Sequence, residues 1–295
     1  MTTPTLVSLA SAIAPSDGVF STPIPALMAY RRSTASGPMP CVYGLSLALT
    51  VQGSKRATLG EEVFNYGPGQ SLVTTVDLPV TSYITQASAQ APYLGLRLEL
   101  DARAIAQIAT DIDFAHPLRE ASPRAMSVVS LDDGLLDALT RLLRLLDEPA
   151  LIDRVAPLIQ QEIVVRLLHG AHGPTLRHLV TQGSPSQHVA KVIAWVRQNF
   201  TAEVSVDELA TKAHMSASTF RQHFRSVAGM SPLQYLKNLR LQEARHLMLN
   251  GSLDASSAAV RVGYESASQF SREYRRLFGE PPQRDIQRLR LLSFQ

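Results

Sequence analysis

Two stretches of the chain, VDELATKAHMSASTFRQHFRSVAGMSP at 206–232 and ASSAAVRVGYESASQFSREYRRLFGEPP at 255–282, are copies of one pattern. Phe220, Phe224 and Gly229 recur as Phe270, Tyr274 and Gly279 at an offset of 50, whereas Ala210, Ala213 and Met215 recur as Ala259, Val262 and Tyr264 at an offset of 49. A one-residue slip between two matched blocks is what a turn of slightly different length between two helices produces. Each copy therefore reads as a short helix with a small residue, a tight turn, and a second helix capped by Ser216 or Ser218 (Ser266 or Ser268 in the second copy) and closed by Gly229 or Gly279. That is the layout of a helix-turn-helix unit, present twice.

The second helix of each copy has an inward and an outward face. Phe220, Phe224 and Val227 fall at i, i+4 and i+7 and must face a core, which leaves Ser218, Arg221, Gln222 and Arg225 outside. In the second copy Phe270, Tyr274 and Leu277 point in, and Ser271, Arg272, Arg275 and Arg276 point out. Such a helix suits a DNA major groove, where Arg reads guanine, Gln reads adenine and arginines nearer the C-terminal end neutralise phosphate. A solvated basic face on an ordinary bundle is the alternative, and it does not account for the same two faces occurring twice. Between the copies SPLQYLKNLRLQEARHLMLNG reads as one amphipathic helix. At 1.5 Å per residue it spans roughly 30 Å, close to the ~34 Å turn of B-DNA, so it could hold two recognition helices in successive grooves.

Charge is divided in the same sense. Residues 1–184 hold 13 Lys/Arg against 16 Asp/Glu, a net −3, and residues 185–295 hold 15 against 9, a net +6. A basic half is what a polyanion partner requires, although solubility alone can also account for it. No run approaches the roughly 18 apolar residues of a membrane span, and MTTPTLVSLASAIAPSDG lacks the basic flank of a secretory leader. The single cysteine, Cys41, excludes an internal disulfide framework and a Cys-cluster zinc site. A cytoplasmic protein without membrane contact is expected.

The N-terminal half has another texture. The first forty residues hold six prolines and predict an irregular, partly extended lead-in. From Cys41 to about residue 100, short alternating segments are separated by turn signals at Gly53-Ser54, Gly60, Gly67-Pro68-Gly69, Pro79 and Pro92, which predicts an antiparallel barrel or sandwich. DARAIAQIATDI, LDDGLLDALTRLLRLLDEP and ALIDRVAPLIQQEIVVRLLHG then read as helices, with apolar stripes at Leu135, Leu139, Leu142, Leu143 and Leu146 and at Leu158, Ile159, Ile163, Val165 and Leu167. These stripes either pack on their own chain or form a subunit interface. Residues 170–186, rich in Gly, Pro, Ser and His, read as a linker.

With "DELATKAHMSASTFRQHFRSVAGMSPLQYLKNLRLQEARHLM" followed by "VGYESASQFSREYRRLFGEPPQ", residues 186–290 resemble the DNA-binding domain of the AraC/XylS transcription regulators. The resemblance implies seven helices, recognition helices near 217–227 and 267–277, and base-reading candidates Ser218, Arg221 and Gln222 in the first and Ser268, Ser271 and Arg272 in the second. Ala258 and Val260 stand where the family usually has larger aliphatics. "CVYGLSLALTVQGSKRATLGEEVFNYGPGQSLVTTVDLPV" is similar to the N-terminal module of one AraC subgroup, which is cupin-like and followed by helices that often dimerise. The expected architecture is α+β with two domains: a cupin-like β-barrel with a helical hairpin for effector binding and dimerisation (1–170), a linker (171–185), and an all-α, homeodomain-like double helix-turn-helix domain (186–295).

No enzyme and no cofactor are expected. Metal-dependent cupins hold their metal with histidines from barrel strands, and there is no histidine before His116. His169, His172 and His178 on a Gly/Pro-rich stretch read as exposed polar residues. What remains for the barrel is a small-molecule effector, with Tyr43, Tyr66, Tyr83, Tyr93 and Arg97 as candidate lining, each tyrosine equally readable as core. Cys41 is either a modifiable sensor thiol or a small buried hydrophobe. The expected partners are promoter or operator DNA, an effector, a second copy of the chain and, for an activator, RNA polymerase. The competing reading is a non-specific architectural DNA binder, which the Ser and Gln on the outward faces disfavour.

Overall fold

The computed structural model describes residues 4–110, 124–181, 183–251 and 253–293. Helix α1 (Pro4–Ile13) opens the chain. Nine strands follow: β1 (Gly18–Ser21), β2 (Leu27–Arg32), β3 (Met39–Tyr43), β4 (Ser46–Gln52), β5 (Ser54–Leu59), β6 (Glu62–Tyr66), β7 (Gln70–Thr74), β8 (Leu78–Gln86) and β9 (Tyr93–Glu99). Helix α2 (Ala102–Thr110), strand β10 (Met126–Ser130) and helices α3 (Asp133–Arg144), α4 (Ile152–His169) and α5 (Gly173–Val180) complete the first half. The second half is helical: α6 (Pro185–Asn199), α7 (Val206–Lys212), α8 (Ala217–Ala228), α9 (Pro232–Asn250), α10 (Ala255–Arg261), α11 (Ala267–Phe278) and α12 (Pro282–Ser293). These are the seven helices the resemblance implied. Residues 111–112 of the sequence's first predicted helix lie outside the described residues.

The strands form two antiparallel sheets, ordered β1-β2-β9-β4-β7-β10 and β3-β8-β5-β6. The sheets face each other and do not close into a ring, so the expected barrel is corrected to an open two-sheet module. Alternation sets the faces of the larger sheet. Leu94, Leu96 and Leu98 of β9, with Leu47 and Leu49 of β4 and Leu27 and Ala29 of β2, point outward into a core with α1, α3 and α4. Residues one step out of phase, including Tyr93 and Arg97, point between the sheets.

That core claims most of both predicted stripes. Leu135, Leu139, Leu142 and Leu143 are buried, as are Ile159, Ile163 and Leu167 on α4. Leu158, counted into the second stripe, is 64% exposed, because Ile152 and Ala156 continue the buried face instead. The lead-in is more ordered than its prolines suggested: α1 buries Leu6 and Ala10 against the sheet. Within 171–185, α5 is helical and Leu176 is buried.

Helix α9 is common to both helix-turn-helix units. Its first half contributes Tyr235, Leu236 and Leu239 to a core shared with Phe220 and Phe224, and its second half contributes Leu241, Ala244 and Met248 to a core shared with Phe270 and Tyr274. Phe200, at the end of α6, packs against both cores. Arg240, midway along α9, donates to the carbonyls of Phe200 (2.6 Å), Ala202 (2.8 Å) and Gly263 (3.0 Å), fixing both units to one axis. No helix among the described residues is long and apolar enough to cross a membrane.

Candidate nucleic-acid interface

Local chemistry builds the two units in parallel. Ser205 opens α7 with a reciprocal capping box to Glu208, and Asp254 caps α10 by accepting from the Ser257 backbone at 2.7 Å. Ser216 and Ser266 cap α8 and α11, accepting from Thr219 and Gln269 at 3.3 Å each, so Ser218 and Ser268 are free of the capping role. Both helices stop at a left-handed glycine, Gly229 or Gly279, whose N–H returns to the carbonyl of Arg225 or Arg275. The inter-helix turns match residue for residue. Met215 donates to Ala210 (3.0 Å) and Tyr264 to Ala259 (2.9 Å), each after a positive-φ residue, His214 in one copy and Gly263 in the other. The slip in the repeat is therefore Glu265, the extra residue between Tyr264 and the Ser266 cap.

Behind the two helices, aromatic rings pack edge-on or, for Phe270 and Tyr274, tilted. Phe220, Phe224 and Tyr235 form one run at centroid spacings of 5.5 Å, and Tyr264, Phe270 and Tyr274 form the other at 5.4 and 5.5 Å. Leu277 is only half-buried. Of the two departures from the family pattern, Ala258 is buried, whereas Val260 is 73% exposed and lies outside the core.

In front, Ser218, Arg221, Gln222 and Arg225 on α8 and Ser268, Ser271, Arg272, Arg275 and Arg276 on α11 are all exposed. None of these five arginines enters an ion pair within the described residues, because the neighbouring acids are engaged elsewhere. Glu273 accepts from Lys237 (2.9 Å), Tyr264 (2.8 Å) and Gln269 (3.2 Å). Burial pushes its carboxyl up, and those three bonds outweigh burial and hold it below the usual range. Asp285, fully buried, accepts from Arg245, Tyr274 and Arg288. The basic faces are thus left with charge to spare for a polyanion.

The two halves share a core. Ala57, Leu59, Tyr66, Leu72, Val76, Leu78 and Val80 of the sheets are continuous with Phe220, Phe224 and Val227 of the first unit. At this seam the β5–β6 turn meets the C-terminal cap of α8, where a side chain at Gly60 would strike the Gly229 carbonyl. Tyr235 donates its hydroxyl to the Asp77 carbonyl at 2.8 Å, Arg197 pairs with the Asp77 carboxylate at 2.8 Å, and the Ala125 N–H reaches the Val227 carbonyl at 3.3 Å. Burial raises the Asp77 carboxyl, and Arg197 opposes that shift.

In the sheet module, Tyr43, Tyr66, Tyr93 and Arg97 lie on strand faces directed between the sheets, whereas Tyr83 does not. Tyr83 stands opposite exposed Arg56, on the far side of its strand from Ser82 and Ile84. Burial pushes the Cys41 thiol up to about 11, which disfavours the reactive thiolate a sensor needs. Cys41 also borders a groove of about 630 Å³ at the seam, with Arg197, Leu239 and Arg245. Lys55, absent from the sequence-derived candidates, extends between the sheets with its Nζ over the Tyr43 ring.

One histidine is misread by its sequence context. His172 is 1% exposed, with Nε2 2.9 Å from Ser71 Oγ and Nδ1 2.7 Å from Ser127 Oγ. Burial lowers its pKa to about 4, so it is a neutral structural group. His169 is exposed and His178 half-buried.

Comparison with known proteins places this geometry. A family model described as the N-terminus of AraC-type transcriptional regulators matches residues 23–175, and one for a helix-turn-helix domain matches residues 209–288. The regulator ExsA of Pseudomonas aeruginosa is 28% identical over 127 residues, 43% of this chain and 45% of that protein. The transcriptional activator RhaS of Escherichia coli is 34% identical over 95 residues, 32% of this chain and 34% of that protein. The chain thus spans less than half the length of these curated relatives. ToxT of Vibrio cholerae shares the fold, with a TM-score of 0.61 at 11% identity over 88% of this chain and 96% of that one. With the first family model covering more than half of its residues and two helix-turn-helix units behind it, the chain belongs to the AraC-type transcriptional regulators.

Proposed function

We propose that the chain is a sequence-specific DNA-binding transcription regulator, with α8 and α11 entering successive major grooves and the two-sheet module sensing a small molecule. The observation that carries this reading is the pair of exposed faces on α8 and α11. Each has Arg residues uncommitted to any described carboxylate, beside Ser, and Gln in the first, and the shared helix α9 holds both. In this reading Ser218, Arg221, Gln222, Ser268, Ser271 and Arg272 face bases, and Arg225, Arg275 and Arg276 face phosphates. Residues 186–295 form the DNA-reading domain, 1–170 the sensory and dimerisation domain, and 171–185 connect them. The protein acts in the cytoplasm without chemistry of its own, and as an activator it would engage RNA polymerase.

A sensory role is supported by the fold. ToxT, at 9% identity, has been solved with an unsaturated fatty acid bound, so a relative of this shape takes a small molecule. Dimerisation has weaker support, since α3 and α4 spend most of their apolar faces on their own sheet. Exposed Leu151 and Leu158, at and near the start of α4, are what remains for a second copy.

The test is a genomic-fragment selection with the full chain, followed by gel shifts in excess random duplex. A recovered motif with two patches about one helical turn apart supports paired readout. Binding that random duplex competes away supports the architectural alternative instead.

A further inference from the structure

The space between the two sheets holds a cation without a described counter-charge. Lys55 stands directly across from buried Tyr66 in the β5–β6 register, which turns its side chain inward. Its Nζ lies 5.3 Å from the centre of the Tyr43 ring and 5.8 Å from that of Tyr93. Those rings belong to opposite sheets, so the ammonium occupies the middle of the gap. Two acidic residues share the inward phase of their strands, Glu62 and Glu99, and each sits at a strand end beside an arginine. Glu62 pairs with Arg124 at 3.2 Å and Glu99 with Arg97 at 2.7 Å. No described carboxylate pairs with Lys55.

Arg97 adds a second donor. One of its terminal nitrogens serves Glu99, whereas its Nε is buried without a hydrogen-bond partner. The Tyr30 hydroxyl lies within the fields of both Arg97 and Lys55. An ammonium removed from water is costly unless an opposite charge or an aromatic face compensates it; here the rings of Tyr43 and Tyr93 and a hydrogen bond to Tyr43 offset its burial, and none of these partners is a carboxylate.

We propose that the inter-sheet space is a binding site for an organic monoanion, a carboxylate on a flat apolar body. Lys55 is its counter-ion, Arg97 a second donor, and Tyr43, Tyr66 and Tyr93 the walls against the body. A single unmatched positive charge selects a monoanion over a dianion. The proposal rests on the sensory reading of this module and adds the ligand's chemical class and the residue that recognises it.

The test titrates 3-phenylpropanoate and its neutral amide, 3-phenylpropanamide, into the full chain by calorimetry. The carboxylate is expected to bind about ten- to a hundredfold more tightly than the amide, the margin of one charge-assisted contact. Lys55→Met should erase that margin and Lys55→Arg should keep most of it. Equal binding of the two probes, a carboxylate preference that survives Lys55→Met, or no binding of either probe at millimolar concentration overturns the site. If Lys55→Met does not fold, the wild-type comparison of carboxylate with amide decides. Gel shifts with and without 3-phenylpropanoate separate this proposal from the one beneath it. Carboxylate-selective binding that leaves DNA affinity unchanged keeps the site and refutes its regulatory use.

Discussion

Asp285 is the residue whose loss should be felt most sharply in the second helix-turn-helix unit. Its Oδ2 accepts from Arg245 Nε (2.7 Å) and the Tyr274 hydroxyl (2.8 Å), and its Oδ1 from Arg245 (3.0 Å) and Arg288 (2.6 Å). It thereby ties α9, α11 and α12 together from a fully buried position. Asp285→Ala would strand Arg245, only 13% exposed, and the buried Tyr274 hydroxyl. Removing one partner of a buried, hydrogen-bonded pair costs about 3–5 kcal/mol. At 1.4 kcal/mol per decade, local opening should become about a hundred- to several-thousand-fold more frequent. Native-state hydrogen exchange reads this directly, because the second unit has a core distinct from the first. Protection should fall by that factor in α11 and α12 while α3 and α4 keep theirs. Arg288→Ala is the contrast: its side chain is 47% exposed, and its loss should cost no more than about 1 kcal/mol. A change under tenfold for Asp285→Ala, or equal effects of the two variants, would refute the reasoning.

Other expectations are as direct. Arg221→Ala or Arg272→Ala should cost roughly 1–3 kcal/mol at a cognate site and relax base preference, whereas Arg276→Ala should weaken all sequences alike and flatten the salt dependence; equal losses across sequences for all three would reject the base readers. Gly263→Ala should destabilise the second turn, because φ is +86° and the new methyl would lie 2.5 Å from the Thr201 carbonyl, while His214→Gly at the matched position should be neutral or stabilising in urea melts. His172 is a base whose folded pKa, about 4, lies below its ordinary 6.5, so the unfolded chain takes up the proton first. Its contribution is complete above pH 6.5 and is lost as pH falls towards 4, by about 3 kcal/mol in all. The stability difference between wild type and His172→Gln should carry that slope. Asp77→Ala should loosen the seam with Arg197 and uncouple DNA affinity from any ligand of the sheet module, while leaving DNA affinity without ligand within a few-fold; unchanged coupling would count against the seam as the route.

The repeat was legible because both of its faces are set locally, by i, i+4, i+7 aromatics, by serine caps and by terminal glycines. The same locality located eight of the nine outward residues of α8 and α11; the ninth, Ser268, comes from the family resemblance. The misreadings have physical causes too. Six prolines predict an irregular lead-in, yet Pro4 starts α1 and Pro15 follows its end, positions where proline costs a helix nothing. Pro174 plays the starting role in α5, inside a segment that otherwise reads as a linker. Closure of the strands was not legible, because it depends on pairings between segments far apart in the chain. Nor was the direction of Lys55: in Ser54-Lys55-Arg56 either basic residue could turn inward, and only the register with Tyr66 decides. Tyr83 failed for the same reason in reverse, falling one residue out of phase with Ser82 and Ile84.

The meeting of Gly60 and Gly229 bears on how members of this family could exchange parts. A hybrid made by cutting within residues 181–184 would preserve the peptide connection and yet join two surfaces never fitted to each other. The β5–β6 turn needs a partner without a side chain at the end of α8, and Tyr235 needs the Asp77 carbonyl. Transplanting a foreign two-sheet half onto these helix-turn-helix units would therefore require grafting the turn, the Asp77 corner and their counterparts together. For this chain the interchangeable unit is larger than the domain boundary drawn along the sequence.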